Sequence, residues 1–157
     1  MRVRRLERAD LPALARAWED LVAHGHEVDP RFGPSTGRDG LLRDHLFHAL
    51  FEVRHPFPPA WVADDREALV GFVHGFPLHA LPVLHQPPTA RIADLWVRAD
   101  RRRRGIGRML VAAFVEGAAA AGYPRVEVGT LARDEAAVAF WRSQGFGDWR
   151  VDLLRQG

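Results

Sequence analysis

Apolar positions recur along this chain with two periods, and the switches between them lay out the elements. Val3 and Leu6 sit in a short extended start that reaches Asp10, an N-cap residue type. Leu11, Leu14, Ala15, Trp18, Leu21 and Val22 then follow a 3.6-residue period and predict a first helix. Pro12 falls in its first turn, where no intrahelical N–H is needed, and Gly25 is the expected stop. A Gly-, Pro- and Asp-rich loop, residues 26–37, leads to a second helical pattern through Leu42, His45 or Leu46, Ala49, Leu50 and Val53, which must end before Pro56.

Beyond the breaker His55-Pro-Phe-Pro-Pro59, the runs Trp61 to Ala63 and Leu69 to Phe76 flank the polar residues 64–67 and read as a hairpin. Residues 77–89 carry four prolines and two histidines and predict a long surface loop, of the kind that often borders a binding site. Arg91 to Arg98 is the next strand, and Gly105 to Ala121 a helix capped by Gly122. Arg125 to Val128 alternates as a strand. Thr130 to Asp134 is a turn, Ala136 to Ser143 a short helix ended by Gly145, and Phe146 to Leu154 the last strand or strands. The resulting order, β-α-α, then strands, then β-α-β-α-β, is a mixed α/β layer with one central crossover.

Composition narrows the classes. With 157 residues, 47% hydrophobic and 27% charged, the chain is expected to form one domain over 1–157 with a core of its own. There is no cysteine, so disulfides, thiolate metal sites and a cysteine nucleophile are excluded. Neither a signal-peptide apolar region nor a stretch of about 20 apolar residues is present, and a cytoplasmic protein that does not enter membranes is expected. The pI near 10.2 suggests a nucleic-acid binder, yet the net charge is only +2. All 22 basic residues are arginine, which raises the pI without creating a large field at pH 7. Four arginines in one loop make a small footprint for a nucleic acid, and none is expected as a partner. His24, His26, His79 and His85 match no standard ligand spacing, so no metal is expected either.

The arginines cluster where a strand meets a helix: Arg101 to Arg104, then Gly105-Ile106-Gly107. A basic, glycine-bearing loop at a helix N-terminus favours an anion, typically a phosphate. A Rossmann fingerprint would need glycine where Leu110 stands, and a P-loop would need Gly-Lys-Ser/Thr in a chain without lysine. What remains, Arg102-Arg-Arg-Gly105-Ile-Gly107, fits Gln/Arg-x-x-Gly-x-Gly/Ala, and here the chain resembles the GNAT superfamily of acyl-CoA-dependent N-acyltransferases. The resemblance extends from Leu95-Trp96-Val97, through the turn, helix and strand, to Asp134-Glu-Ala-Ala137-Val-Ala-Phe140-Trp141-Arg-Ser-Gln-Gly145-Phe146. It covers Asp94 to Phe146, about a third of the chain.

This resemblance implies a mostly antiparallel mixed sheet of six to seven strands, flanked by about four helices. Acetyl-CoA would be the co-substrate and a small-molecule or peptide amine the acceptor, attacked directly in a ternary complex, and a homodimer is allowed. Leu95, Trp96 and Val97 would hold the pantetheine arm through their backbone, like an added strand. Arg102, Arg103, Arg104, Gly105, Ile106, Gly107 and Arg108 would hold the pyrophosphate, with Asp134, Ala137, Phe140 and Trp141 completing the cofactor site. Relatives often carry a Glu or Asp base on the strand before the loop, which makes Asp94 the candidate general base; His74 and Glu127 are weaker ones. Trp141 stands where the family often has a tyrosine acid, and an indole N–H is no practical proton donor. Asp134 replaces the family's asparagine and is also suited to capping the short helix. The alternative reading is a non-catalytic acyl-CoA-binding module.

Overall fold

The computed structural model describes residues 1–32, 41–65, 68–79 and 86–155. Five strands form one sheet in the order β1-β2-β3-β4-β5: β1 (Arg2–Arg5), β2 (Ala60–Asp65), β3 (Ala68–Leu78), β4 (Thr89–Val97) and β5 (Arg125–Val128). Pairing is antiparallel from β1 to β4, and the β4–β5 pair is parallel, joined through a crossover helix. The helices are α1 (Leu11–Val28), α2 (Leu41–Phe47, continued by a wider π-type turn to Glu52), α3 (Ile106–Ala120) and α4 (Glu135–Ser143).

Strand alternation gives the sheet two apolar faces. Val62, Phe72 and Trp96 pack under α1 and α2 against Leu14, Leu46 and Leu50. Val73, Ala90 and Ile92 pack on the other face against Leu110 and Phe114 of α3 and Trp141 of α4. The mixed α/β architecture and four helices match expectation. The strand count does not: among the described residues there are five strands, and Phe146 to Leu154, expected to pair, joins no ladder. That segment has the alternation of a strand, but Trp149, Val151 and Leu153 lie exposed. Period 2 reports which side chains share a face, not whether a neighbouring edge is in register to pair.

Gly25 does not end α1, which runs on to Val28. The glycine is there for space: a Cβ would lie 2.5 Å from the ring of Phe32 where the chain turns back. Asp10 does not cap with its side chain either. Its carboxylate accepts from the Glu7 N–H (2.8 Å) and from both terminal nitrogens of Arg4 (2.7 and 2.8 Å), while Arg4 Nε donates to Asp64 at 2.7 Å. Arg4 thus ties β1 to β2 and to the start of α1, and its hydrogen bonds hold the Asp10 carboxyl below its ordinary range. A carboxyl lowered in the folded state stabilises above its unfolded value and loses that contribution as pH falls through the folded one. Asp10→Asn is therefore expected to cost about 1–2 kcal/mol at pH 7. In urea melts its deficit should shrink progressively below about pH 4, the ordinary carboxyl range. A deficit constant from pH 7 to pH 2 would contradict the ion-pair account.

Candidate functional site

The site begins where the sheet parts. β5 pairs with β4 from Thr89↔Arg125 to Ile92↔Val128 and no further, so among the described residues Asp94 to Val97 keep β3 on one edge and carry no strand on the other, with Ala93 the unpaired residue between. An open edge of this kind presents backbone N–H and C=O groups to an extended amide chain. Of the strand expected to hold pantetheine, Trp96 contributes backbone only, because its side chain is buried and stacked on Phe72 at 6.2 Å. The Val97 carbonyl already accepts from Arg102 Nε at 3.0 Å, which leaves Leu95 the freest of the three.

That Arg102 contact also pins the turn to the strand. Arg103 (φ 62°) and Gly105 (φ 79°) both adopt the left-handed region, an uncommon state for arginine. The outcome is a row of unpaired amides. Among the described residues no acceptor serves any backbone N–H from Arg103 to Arg108, and the ladder of α3 starts only with Met109 N–H donating to the Gly105 carbonyl at 3.1 Å. A helix ordinarily leaves its first amides unpaired, and the two left-handed residues extend the row upstream. The guanidinium groups divide by role. Arg98 pairs with Asp100, which it holds below the ordinary carboxyl range, and Arg101 pairs with Asp65 at 2.9 Å. Arg103, Arg104 and Arg108 have no carboxylate partner among the described residues.

The two glycines of the turn serve different ends. Gly105 supplies conformation, since a Cβ there would meet nothing within 4 Å. Gly107 supplies space, but toward the core as well as any ligand: a Cβ would lie 3.2 Å from Phe140 Cζ. Phe140 therefore seals the α3 N-terminus against α4, and Gly107→Ala is expected to cost about 1 kcal/mol of stability by overpacking. A thermal melt superimposable on the parent would show that Phe140 yields freely.

The second motif lies around this seal. Asp134 caps α4, one oxygen accepting from the Ala137 N–H (2.9 Å) and the other paired with His24 Nε2 on α1 (3.1 Å). Ala137 and Phe140 pack at the margin of the α3-side core. Trp141 is buried in that core, edge-on to Phe140 (5.1 Å) and Phe146 (5.4 Å).

A further feature sits at the point where the strands part. Counted regularly from Leu78↔Thr89, β3 would set His74 against Ala93 and leave Asp94 on the opposite face. A bulge between His74 and Gly75 shifts the register so that His74 faces Asp94. Both then project on the α1/α2 face, in line with Phe72 and Trp96, and His74 Nδ1 lies 2.8 Å from Asp94 Oδ2. Both side chains are about four-fifths buried, at 17% and 21% exposure. Glu127 is committed elsewhere, to Arg91 at 2.8 Å and Arg150 at 3.5 Å. An open groove of about 700 Å³ is lined by Arg54, His55, Phe76, His79 and Tyr123 among others; neither His74 nor Asp94 lines it, but the ring centre of Phe76 is 6.3 Å from that of His74.

Among the described residues no cluster of three metal-ligating side chains occurs, and no helix is long and apolar enough to cross a membrane. His26 pairs with the Phe32 carbonyl, and His85 lies outside the described residues.

A parted sheet, a left-handed arginine turn and a helix aiming free amides past it suit an anion joined to an amide chain, which is the build of an acyl-CoA-dependent acyltransferase fold. The model of the Acetyltransferase (GNAT) family matches residues 18–146, and the chain belongs to that family. Human N-acetyltransferase 8 is 33% identical over 86 residues, which is 55% of this chain but only 37% of that protein. Among solved structures, a tetramutant of the BH1408 protein from Bacillus halodurans is 22% identical, with TM-score 0.82 and 99% of each chain covered. An aminoglycoside acetyltransferase from an uncultured soil metagenomic sample, in complex with sisomicin, is 25% identical, with TM-score 0.72 and 99% and 95% covered.

Proposed function

We propose that this chain transfers the acetyl group of acetyl-CoA to the primary amine of a small molecule by direct attack in a ternary complex. The observation that carries the reading is the row of amides from Arg103 to Arg108 with no acceptor among the described residues, flanked by the Arg103, Arg104 and Arg108 guanidiniums, which have no carboxylate partner among them. Converging N–H donors and guanidiniums suit a pyrophosphate, and the open β4 edge suits the pantetheine amides. Leu95 and Val97 then hold the arm through their backbone. Asp134, fully engaged as a cap and with His24, contributes by fixing the start of α4, and Trp141 by packing beneath it.

The proton that the acceptor must shed falls to the His74 and Asp94 end of the cleft, where Asp94 is the carboxylate the resemblance singles out. A module that only binds acyl-CoA has no use for such a pair at that point. The neighbouring groove gives an acceptor room to approach. A small amine is favoured over a macromolecular one by the sisomicin-bound relative of matching length. A thiol-release assay with acetyl-CoA tests this across alkylamines, arylalkylamines, polyamines and aminoglycosides. CoA release and a product heavier by one acetyl group are expected with at least one acceptor; release with none would overturn the reading.

A further inference from the structure

Resting on the acetyltransferase reading, we propose that His74 is the group that takes the acceptor's proton, and that Asp94 is its positioning residue instead of the base itself. The geometry sets the roles. A carboxylate offers no proton at neutral pH, so the 2.8 Å contact is His74 Nδ1–H donating to Asp94 Oδ2. The ring is thereby held in the tautomer whose Nε2 carries the lone pair, and Nε2 has no hydrogen-bond partner among the described residues. A base oriented by a carboxylate behind it is the arrangement by which imidazole serves acyl transfer on unrelated folds.

Three features argue that the pairing serves chemistry. The bulge that brings Asp94 opposite His74 lies at the point where β4 loses β5 and its free edge begins. Neighbouring positions on the same face, Phe72 and Trp96, are large buried aromatics, so a polar pair interrupts an otherwise apolar row. And among the described residues Asp94 meets no arginine, unlike Asp10, Asp64, Asp65 and Glu127, whose carboxylates are neutralised by guanidiniums.

In the reaction, His74 Nε2 accepts one proton from the bound ammonium, and the resulting imidazolium is stabilised by Asp94 before passing that proton to solvent. The free amine nitrogen then attacks the thioester carbonyl carbon. A C–N bond forms, the C–S bond breaks, and the second amine proton leaves with the sulfur as CoA thiol.

The tests use the intact protein. His74→Gln keeps a side chain of similar reach without the base. It is expected to lower kcat by about 100- to 10,000-fold, while the KM for acetyl-CoA stays within about twofold. Asp94→Ala should lower kcat less, and combining it with His74→Gln should add almost nothing, since the two act as a unit. Asp94→Glu should restore part of what Asp94→Ala loses. Independently of turnover, ¹⁵N NMR of the ring in the ligand-free protein should find the proton on Nδ1 and not on Nε2. The proposal is overturned if His74→Gln keeps kcat within about threefold while Asp94→Ala abolishes it, or if the neutral ring carries its proton on Nε2. Either result would leave the acetyltransferase reading standing, which only absence of turnover in the parent protein would remove.

Discussion

Gly105→Val is expected to weaken acetyl-CoA binding by one to two orders of magnitude. Gly105 holds φ 79° at the N-cap of α3, and a β-branched side chain there is strained whatever the space around it. The turn would relax toward negative φ and rotate its neighbouring amides out of convergence. Losing one charge-assisted hydrogen bond costs about 1.5–3 kcal/mol, or roughly 10- to 150-fold in affinity. The fold supplies its own control. Gly122, at the other end of α3, has φ 88° and likewise no atom within 4 Å of a Cβ position. Gly122→Val carries the same strain without touching the turn. Calorimetric titration should find both variants comparably destabilised and only Gly105→Val weakened in binding; equal affinity in the two would contradict the assignment of the turn.

Gly75→Ala is expected to destabilise the protein by about 3 kcal/mol or more, the range reached when overpacking meets a backbone that cannot yield. Its Cβ would lie 2.3 Å from the Arg91 backbone carbonyl and 2.5 Å from the Phe114 ring, and its N–H donates to the Pro59 carbonyl at 2.9 Å. It is confined between β2, β4 and α3 at the bulge itself. Gly71, two residues on the near side of His74's neighbour Val73, is the milder comparison, its nearest atoms at 3.1 Å. Urea melts should order the variants as parent, Gly71→Ala, Gly75→Ala. A Gly75→Ala protein as stable as the parent would mean the bulge can open without cost, and with it the His74–Asp94 register.

The elements were legible from periodicity because each buries one face: α1 from Leu11, Leu14 and Ala15, the β2–β3 hairpin from its apolar runs, α3 from its alanine-rich stretch. The turn at Arg102 to Gly107 was legible because left-handed and close-packed positions select glycine, although the packing role of Gly107 against Phe140 needed the position of α4. What sequence could not reveal was register. His74 and Asp94 are 20 residues apart, and an unbulged count sets them on opposite faces. Gly75 lies in an ordinary apolar strand pattern, with nothing to mark the carbonyl and ring that crowd it. The C-terminal segment failed the other way, since its alternation is real and its ladder partner is not formed among the described residues.

On the proposed reading, the backbone from Arg103 to Arg108 receives the pyrophosphate of acetyl-CoA. Titration of ¹⁵N-labelled protein with acetyl-CoA, and separately with pantetheine, reads those amides directly. Large, saturable shifts from Arg103 to Arg108 are predicted with acetyl-CoA, with pantetheine moving only the Leu95 and Val97 region. Acetyl-CoA that saturates the protein while those amides stay in place would contradict it.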